Sequence, residues 1–389
     1  MLATLERKLL SRVWHLLDEQ FVSIGEGNNI RTISMNTSCP KTPLVMVHGM
    51  GAGIGMWALN LFALSRFRPL YAFDVLGFGR SSRPKFSNDP MLAEMQFVES
   101  IEAWRDKMGI DKMILLGHSL GGFLTTSYAI RYPERVEHLI VVDGWGFAVM
   151  PQNGSERTPV PRWIKILASM LSPFNPFAGI RALGFVGKHL IRKFRPDLIQ
   201  TFSSVTEDEP TVVADYIYYS NSRKPSGESA FKAMTMSFGW AKNPMLSRIH
   251  KLSEKVPMTM IYGSRSWISD SSGWEAKRRR QEENENCFVD VHIIKNAGHH
   301  VYANQSEEFN NLINKICSAG GEPKKIRTKA SKLSLTIQDT VSNNEHIHRN
   351  AYEGEAQTVK LNTDLSEIKQ AARLEDYETI RFQVGEVDA

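Results

Sequence analysis

The chain has 389 residues, 42% of them apolar, enough for one large domain with appendages or for two domains. Its 47 Lys and Arg against 42 Asp and Glu leave a formal charge of +5, too slight a surplus to imply a nucleic-acid partner and suited equally to an anionic membrane surface. Cys39, Cys287 and Cys317 form no CxxC pair and no metal-ligand spacing, so they read as free thiols, and neither metal nor cofactor is implied.

Charges interrupt the N-terminal stretch "MLATLERKLLSRVWHLLDEQF" throughout, so it lacks the apolar core of a secretory signal. No run approaches the ~18 apolar residues of a membrane span. These features predict an intracellular chain, free or peripherally attached. Within residues 2–22, Leu2, Leu5, Leu9, Val13, Leu16 and Leu17 recur at helical spacing, with Trp14 alongside. This amphipathic helix (1–22) either docks on the domain or lies at a membrane interface.

From residue 42 the rhythm changes. "PLVMVHG", "PLYAFDVLG", "KMILLGHS", "VEHLIVVDG", "VPMTMIYGS" and "VDVHIIKNAGH" are short apolar runs ending in Gly, Asp, Ser or His. Such runs read as buried parallel strands, and helical patterns at 94–108 and 121–132 lie between them. Alternation of this kind predicts an α/β fold with a mostly parallel sheet over 23–317. His48, Asp74, Ser119, Asp143, Arg265 and His299 fall at carboxyl ends of strands, where chemistry gathers in such sheets.

Between about 148 and 250 the rhythm breaks. Prolines and helical stretches ("RWIKILASML", "GKHLIRKF") predict a helical insertion, too long for a simple crossover. Its basic residues (Arg157, Arg162, Lys165, Arg181, Lys188, Arg192, Lys193, Arg195) form either a solvated face or a lid facing anionic, apolar ligands. The stretch 318–389 is polar and of mixed charge and is expected to be largely disordered, with a transient helix at 359–383.

"LLGHSLGGF", residues 115–123, places Ser119 in a G-x-S-x-G string between a strand and a helix. A serine hydroxyl needs an exposed, rigid position and a base to act as a nucleophile. The elbow supplies the position and requires small residues at Gly117 and Gly121. Oxyanion donors are expected from the N–H groups of Leu120 and of Met50 in "HGMGAGIG". In "NAGHHVY" His299 is the expected base and His300 structural, following the chain order serine, acid, histidine. The acid is expected at Asp270, the only carboxylate in "SRSWISDSSG". Asp143 is the alternative.

Longer motifs extend this picture: "TPLVMVHGMGAGIGMWALN", "YAFDVLGFGRSSRP", "DKMILLGHSLGGFLTTSYAIRYPERVEHLIVVDGWGF", "PSGESAFKAMTMSFGWAKNPML", "TMIYGS" and "HHVYANQSEEFN". Through them residues ~1–317 resemble the α/β-hydrolase superfamily, and closely its subfamily of phospholipid enzymes. The resemblance implies a carboxylic ester hydrolase of N-acylphosphatidylethanolamine and lysophospholipid type, forming an acyl-enzyme on Ser119. The other branch of the subfamily, a lipid-droplet coactivator of a triglyceride lipase, carries Asn at the elbow. It implies an alternative role as a lipase partner with little hydrolysis. Arg265 and Gly298 look like that branch and mark a candidate partner surface. The implied partners are a phospholipid, peripherally a membrane or lipid-droplet surface, and a triglyceride lipase. The implied location is cytoplasmic, on the endoplasmic reticulum or lipid droplets. Three departures stand out. The family's "ID" reads Ile268-Ser269 here. Its H-x4-D, linked to acyltransferase activity, reads His299 to Asn304. Its tryptophan-rich N-terminal anchor has no counterpart.

Overall fold

The computed structural model describes residues 1–150, 175, 177–206, 209–236 and 239–318. The expected helix at 162–171, the basic residues Arg157, Arg162 and Lys165, and the tail from 319 onward lie outside them.

Eight strands form one sheet in the order β1-β2-β4-β3-β5-β6-β7-β8. They are β1 (Asp18–Ser23), β2 (Asn29–Met35), β3 (Leu44–Val47), β4 (Leu70–Phe73), β5 (Met113–His118), β6 (Val136–Val142), β7 (Met258–Gly263) and β8 (Val289–Ile294). All pairings from β4 to β8 are parallel; β1 with β2, and β2 with β4, are antiparallel. The six apolar runs of the sequence become β3 to β8. Strands β3 and β5 are buried along their whole length, as expected of strands with helices on both faces. One apolar cluster, with Phe97, Trp104 and Tyr128, covers one face of the sheet; another, with Trp57, Tyr216 and Tyr302, covers the other. The long helices Pro90–Lys107 and Leu120–Arg131 stand near the expected 94–108 and 121–132.

The first helix is shorter than the expected 1–22. It spans Leu2–Leu9, a short 3-10 turn follows at Trp14–Leu16, and Asp18–Ser23 becomes edge strand β1. Pairing with β2, from Asp18 opposite Ser34 to Ser23 opposite Asn29, gives this stretch its backbone partners. The helix docks: Leu5, Leu9, Leu10 and Val13 are buried. Glu6 is fully buried on the same face, its carboxylate 2.9 Å from Arg31 and 2.7 Å from Arg80. Arg31 is buried too and also meets Glu19 at 2.7 Å. Removing one partner of a buried ion pair leaves the other charge without compensation, at a cost of several kcal/mol. Glu6→Ala is therefore expected to lower stability by about 3 kcal/mol in urea unfolding, whereas Lys8→Ala, at an exposed pair with Glu209, costs under about 1 kcal/mol. Equal effects would show that the Glu6 cluster does not hold the helix.

Among the described residues between β6 and β7, five helices appear: Ala178–Ala182, Phe185–Phe194, Pro196–Thr201, Val212–Asn221 and Gly227–Met234. Several basic residues of this insertion are held by its own carboxylates. Arg181 meets Glu228 at 2.6 Å, Lys188 and Arg192 meet Asp215 at 2.7 and 2.8 Å, and Arg195 meets Asp197 at 2.8 Å. The first three tie separate helices of the insertion together, whereas the Arg195 pair is local to one helix start. No helix among the described residues is long and apolar enough to cross a membrane.

Candidate active site

Ser119 sits in the turn between β5 and the helix Leu120–Arg131, at φ 55° and ψ −118°. A non-glycine residue there costs about 1–3 kcal/mol and persists only when its surroundings hold it. They do: the Ser119 N–H donates to the Val142 carbonyl at 3.0 Å, and its own carbonyl accepts from Phe123 at 3.2 Å and Trp145 at 3.1 Å. The flanking glycines are required sterically. A Cβ on Gly117 would meet the Gly121 carbonyl oxygen at 2.4 Å, and one on Gly121 would meet that of Val47 at 2.3 Å. The helix can thus start directly against β3 and β5, which pushes the Ser119 side chain to the strand end.

His299 lies in the loop after β8, with its Nε2 3.1 Å from Ser119 Oγ and its Nδ1 2.6 Å from Asp143 Oδ2. The Nδ1 proton goes to the carboxylate, which leaves Nε2 with a lone pair facing the serine hydroxyl. Asp143 follows β6 and is wholly buried at φ 47°. Its carboxylate also accepts from the Ser266 hydroxyl, and the Gly263 N–H lies 3.4 Å from its second oxygen. The His299 side chain keeps 18% of its surface exposed, a path for a reactant.

The expectation of Asp270 as the acid is corrected by this geometry. Asp270 stands at the N-terminal boundary of the helix Ser271–Glu283, where its Oδ2 accepts from Trp274 Nε1 at 3.1 Å. Local helix chemistry holds it, and it makes no bond to His299. The register explains the alternative. His118 of β5 lies beside Val142 of β6, so the next residues, Ser119 and Asp143, emerge side by side at the sheet edge. Ser266, which holds the Asp143 carboxylate, carried no signal of its own within "YGSRSW".

The two expected oxyanion donors stand where the fold can orient them. Leu120 opens its helix, so its N–H has no acceptor within that helix. Met50 follows Gly49, where a Cβ would touch Ser119 Cβ at 2.9 Å. The Gly49 carbonyl accepts from His48 Nδ1 at 2.8 Å and from the Ala52 N–H at 3.2 Å. In a planar trans peptide the N–H points opposite the carbonyl, so these bonds also fix the direction of the Met50 N–H. His48 Nε2 accepts from Val75 N–H at 2.9 Å, which sets its tautomer. From the insertion, Asn221 donates to the Gly51 carbonyl at 2.7 Å and the Tyr216 hydroxyl accepts from the Gly55 N–H at 3.1 Å. This loop is held from both sides.

Two further histidines are structural. His118 Nε2 donates to the His299 carbonyl at 2.9 Å, and burial holds its pKa well below the usual value. His300 is 3.1 Å from the Tyr302 hydroxyl, and burial lowers it to about 3. Burial likewise lowers His48 to about 4. Each stays neutral when folded, while the unfolded chain takes up protons near the ordinary 6.5. Their contribution is complete above pH 6.5 and is lost as the pH falls from there toward 4. Urea unfolding between pH 6.5 and 4.5 is expected to show stability dropping by about 2 kcal/mol per pH unit from His48 and His300 together. A flat profile in that window would contradict the buried neutral state.

Arg265 and Gly298 line a surface cleft of about 550 Å³ that reaches His299 and Trp267. The Gly298 N–H donates to Asn304 Oδ1 at 3.0 Å, and Asn304 Nδ2 meets Thr201 Oγ1 at 3.3 Å. The amide that stands in place of a carboxylate thus ties the His299 loop to the insertion.

A family model described as the alpha/beta hydrolase fold matches residues 42–305. A (lyso)-N-acylphosphatidylethanolamine lipase of Homo sapiens is 49% identical over 319 residues, 82% of this chain and 92% of its own length. A 1-acylglycerol-3-phosphate O-acyltransferase of Homo sapiens is 48% identical over 313 residues, 80% and 88% of the two chains. Among solved structures, a bacterial membrane phospholipase A superposes with a TM-score of 0.56 at 21% identity, covering 82% of this chain and 89% of its own. A naproxen esterase of Bacillus subtilis does so at 0.55 and 18%, covering 81% and 96%. At such identities the structural likeness speaks for the fold.

Proposed function

The chain belongs to the α/β-hydrolase family, and from that premise we propose that it is a carboxylic ester hydrolase of phospholipids, of the N-acylphosphatidylethanolamine and lysophospholipid type. The unbroken relay from Ser119 Oγ through His299 to Asp143 carries this reading. His299 Nε2 takes the hydroxyl proton as Oγ attacks the acyl carbonyl. The resulting oxyanion lies between the N–H groups of Met50 and Leu120. Collapse returns the proton to the leaving oxygen and leaves an acyl group on Ser119. Water, deprotonated by the same imidazole, then attacks the acyl carbonyl, and the fatty acid leaves. Asp143 holds the imidazole tautomer and balances the imidazolium charge.

A fluorophosphonate probe is the direct test, with Ser119→Ala as control. An unlabelled but folded wild type would sink the hydrolase reading. A panel of N-acylated, lyso- and diacyl-phospholipids then assigns the head group.

The exposure of Arg265 and its place with Gly298 on one surface cleft favour a second reading, in which this face binds a triglyceride lipase. Stimulation of such a lipase that persists in Ser119→Ala would establish it. Peripheral attachment to the endoplasmic reticulum or to lipid droplets suits Trp267, 70% exposed beside His299.

A further inference from the structure

We propose that the cleft beside His299 is a phosphate subsite, in which Arg265 and Arg195 bind the phosphate of a glycerophospholipid head group. This rests on the hydrolase reading above and adds how the enzyme selects its ester.

The cleft joins elements distant in sequence. Arg195 comes from the insertion, Arg265 and Trp267 from the loop after β7, and His299, His300 and Asn304 from the segment after β8. Its volume of about 550 Å³ accommodates a glycerophosphate head and lies within the range of small-molecule sites. Arg265 is exposed and is fixed by one bond, from Nη2 to Asn296 Oδ1 at 2.8 Å. Among the described residues it has no carboxylate partner, so the rest of its guanidinium fork is open to an anion. Arg195 is oriented by Asp197, through Nε at 3.0 Å and Nη2 at 2.8 Å. With Asp197 counted, the cleft carries one net positive charge. His300 is neutral and does not add to it.

Two planar guanidinium groups suit the several oxygens of a phosphate monoester or diester better than a single carboxylate. The position relative to the relay supplies the second half. His299 is both a wall of the cleft and the base facing Ser119, so a phosphate held there lies beside the relay. At the rim, the Trp267 ring lies 5.0 Å from the His299 ring and is 70% exposed, a surface for acyl carbons. A neutral ester gains nothing from the two arginines, so the subsite predicts selectivity rather than chemistry.

The test compares lysophosphatidylethanolamine with a monoacylglycerol of the same chain, in the wild type, Arg265→Gln, Arg195→Gln and Arg265→Lys. The ratio of kcat/KM for the phosphorylated over the neutral ester is expected to fall about 20-fold in each Gln variant, and less in Arg265→Lys, which keeps charge but not the fork. Equal losses on both esters, or an unchanged ratio, would overturn the proposal. Glycerol 3-phosphate is expected to compete against the neutral ester in the wild type. Inhibition by inorganic phosphate at the same concentration would assign the cleft to free anions and overturn the head-group assignment. Calorimetry of glycerol 3-phosphate with wild type and Arg265→Gln reads the subsite without turnover, so an inactive enzyme would sink the hydrolase reading alone. Binding that is equal in the two proteins, or absent from both, would overturn the subsite.

Discussion

Replacing Asp143 with Asn is expected to lower kcat about 10⁴-fold, while Asp270→Asn changes it by no more than a few-fold. The asymmetry follows from one hydrogen bond. His299 Nδ1 donates to Asp143 Oδ2 at 2.6 Å, which keeps the basic lone pair on Nε2, facing Ser119. An Asn side chain of the same shape presents an amide N–H to Nδ1 and drives the proton onto Nε2. The imidazole then cannot accept from the serine. Asp270 stands just before a helix and its carboxylate accepts from Trp274 Nε1 there, so its loss alters one surface contact. Asp143 is wholly buried and accepts from Ser266 as well as His299, so Asn is chosen because it keeps the shape of the side chain, and the stability of the variant is read beside its turnover. Steady-state kinetics with matched thermal melts decide the matter. If Asp270→Asn instead abolished turnover, the loop after β7 would have to rearrange on substrate binding and the Asp143 relay would be wrong.

The second large effect concerns the serine and its base together. Ser119→Ala and His299→Ala are each expected to cut kcat by about 10⁵- to 10⁶-fold, and the double variant to cut it no further. Both residues serve a single proton transfer, so removing either abolishes the whole step. Independent effects that multiplied in the double variant would refute a coupled pair. A further substitution separates chemistry from stability. Ser119 is held at φ 55°, where glycine is unstrained, so Ser119→Gly is expected to be equally inactive yet more stable by about 1 kcal/mol. Fluorophosphonate labelling and urea unfolding on the same preparations would read both quantities.

Legibility in the sequence followed burial. Strands β3, β5, β6 and β7 are buried along nearly their whole length and appear as continuous apolar runs, so their presence and parallel sense could be read directly, though not which strand lies beside which. Strands β1 and β2 could not. β1 reads "DEQFVS" and lies mostly exposed at the sheet edge. β2 reads "NIRTISM" and buries Arg31, Thr32 and Ser34, whose polarity hides a strand from any apolar pattern. Arg31 is tolerated there only because Glu6 and Glu19 arrive from other segments. The fate of the first helix was closed to the sequence for the same reason. Its apolar stripe suits a membrane and a protein core equally, and the buried Glu6 pairs decide for the core.

The sequence by itself determined the α/β class, the elbow at Ser119 and the late histidine. Each depends on local rules: small residues around a strained turn, an apolar strand before it, a fixed chain order. The choice between Asp143 and Asp270 belonged to the tertiary structure. Both acids follow strands that end on one sheet edge, and sequence distance says nothing of which strand lies next to β5. Only the register of β6 against β5, which sets Asp143 beside Ser119, and the helix that engages Asp270 separate them. The cleft of Arg195 and Arg265 is of the same kind, since residues 70 positions apart meet only because the insertion folds back over the loop after β7.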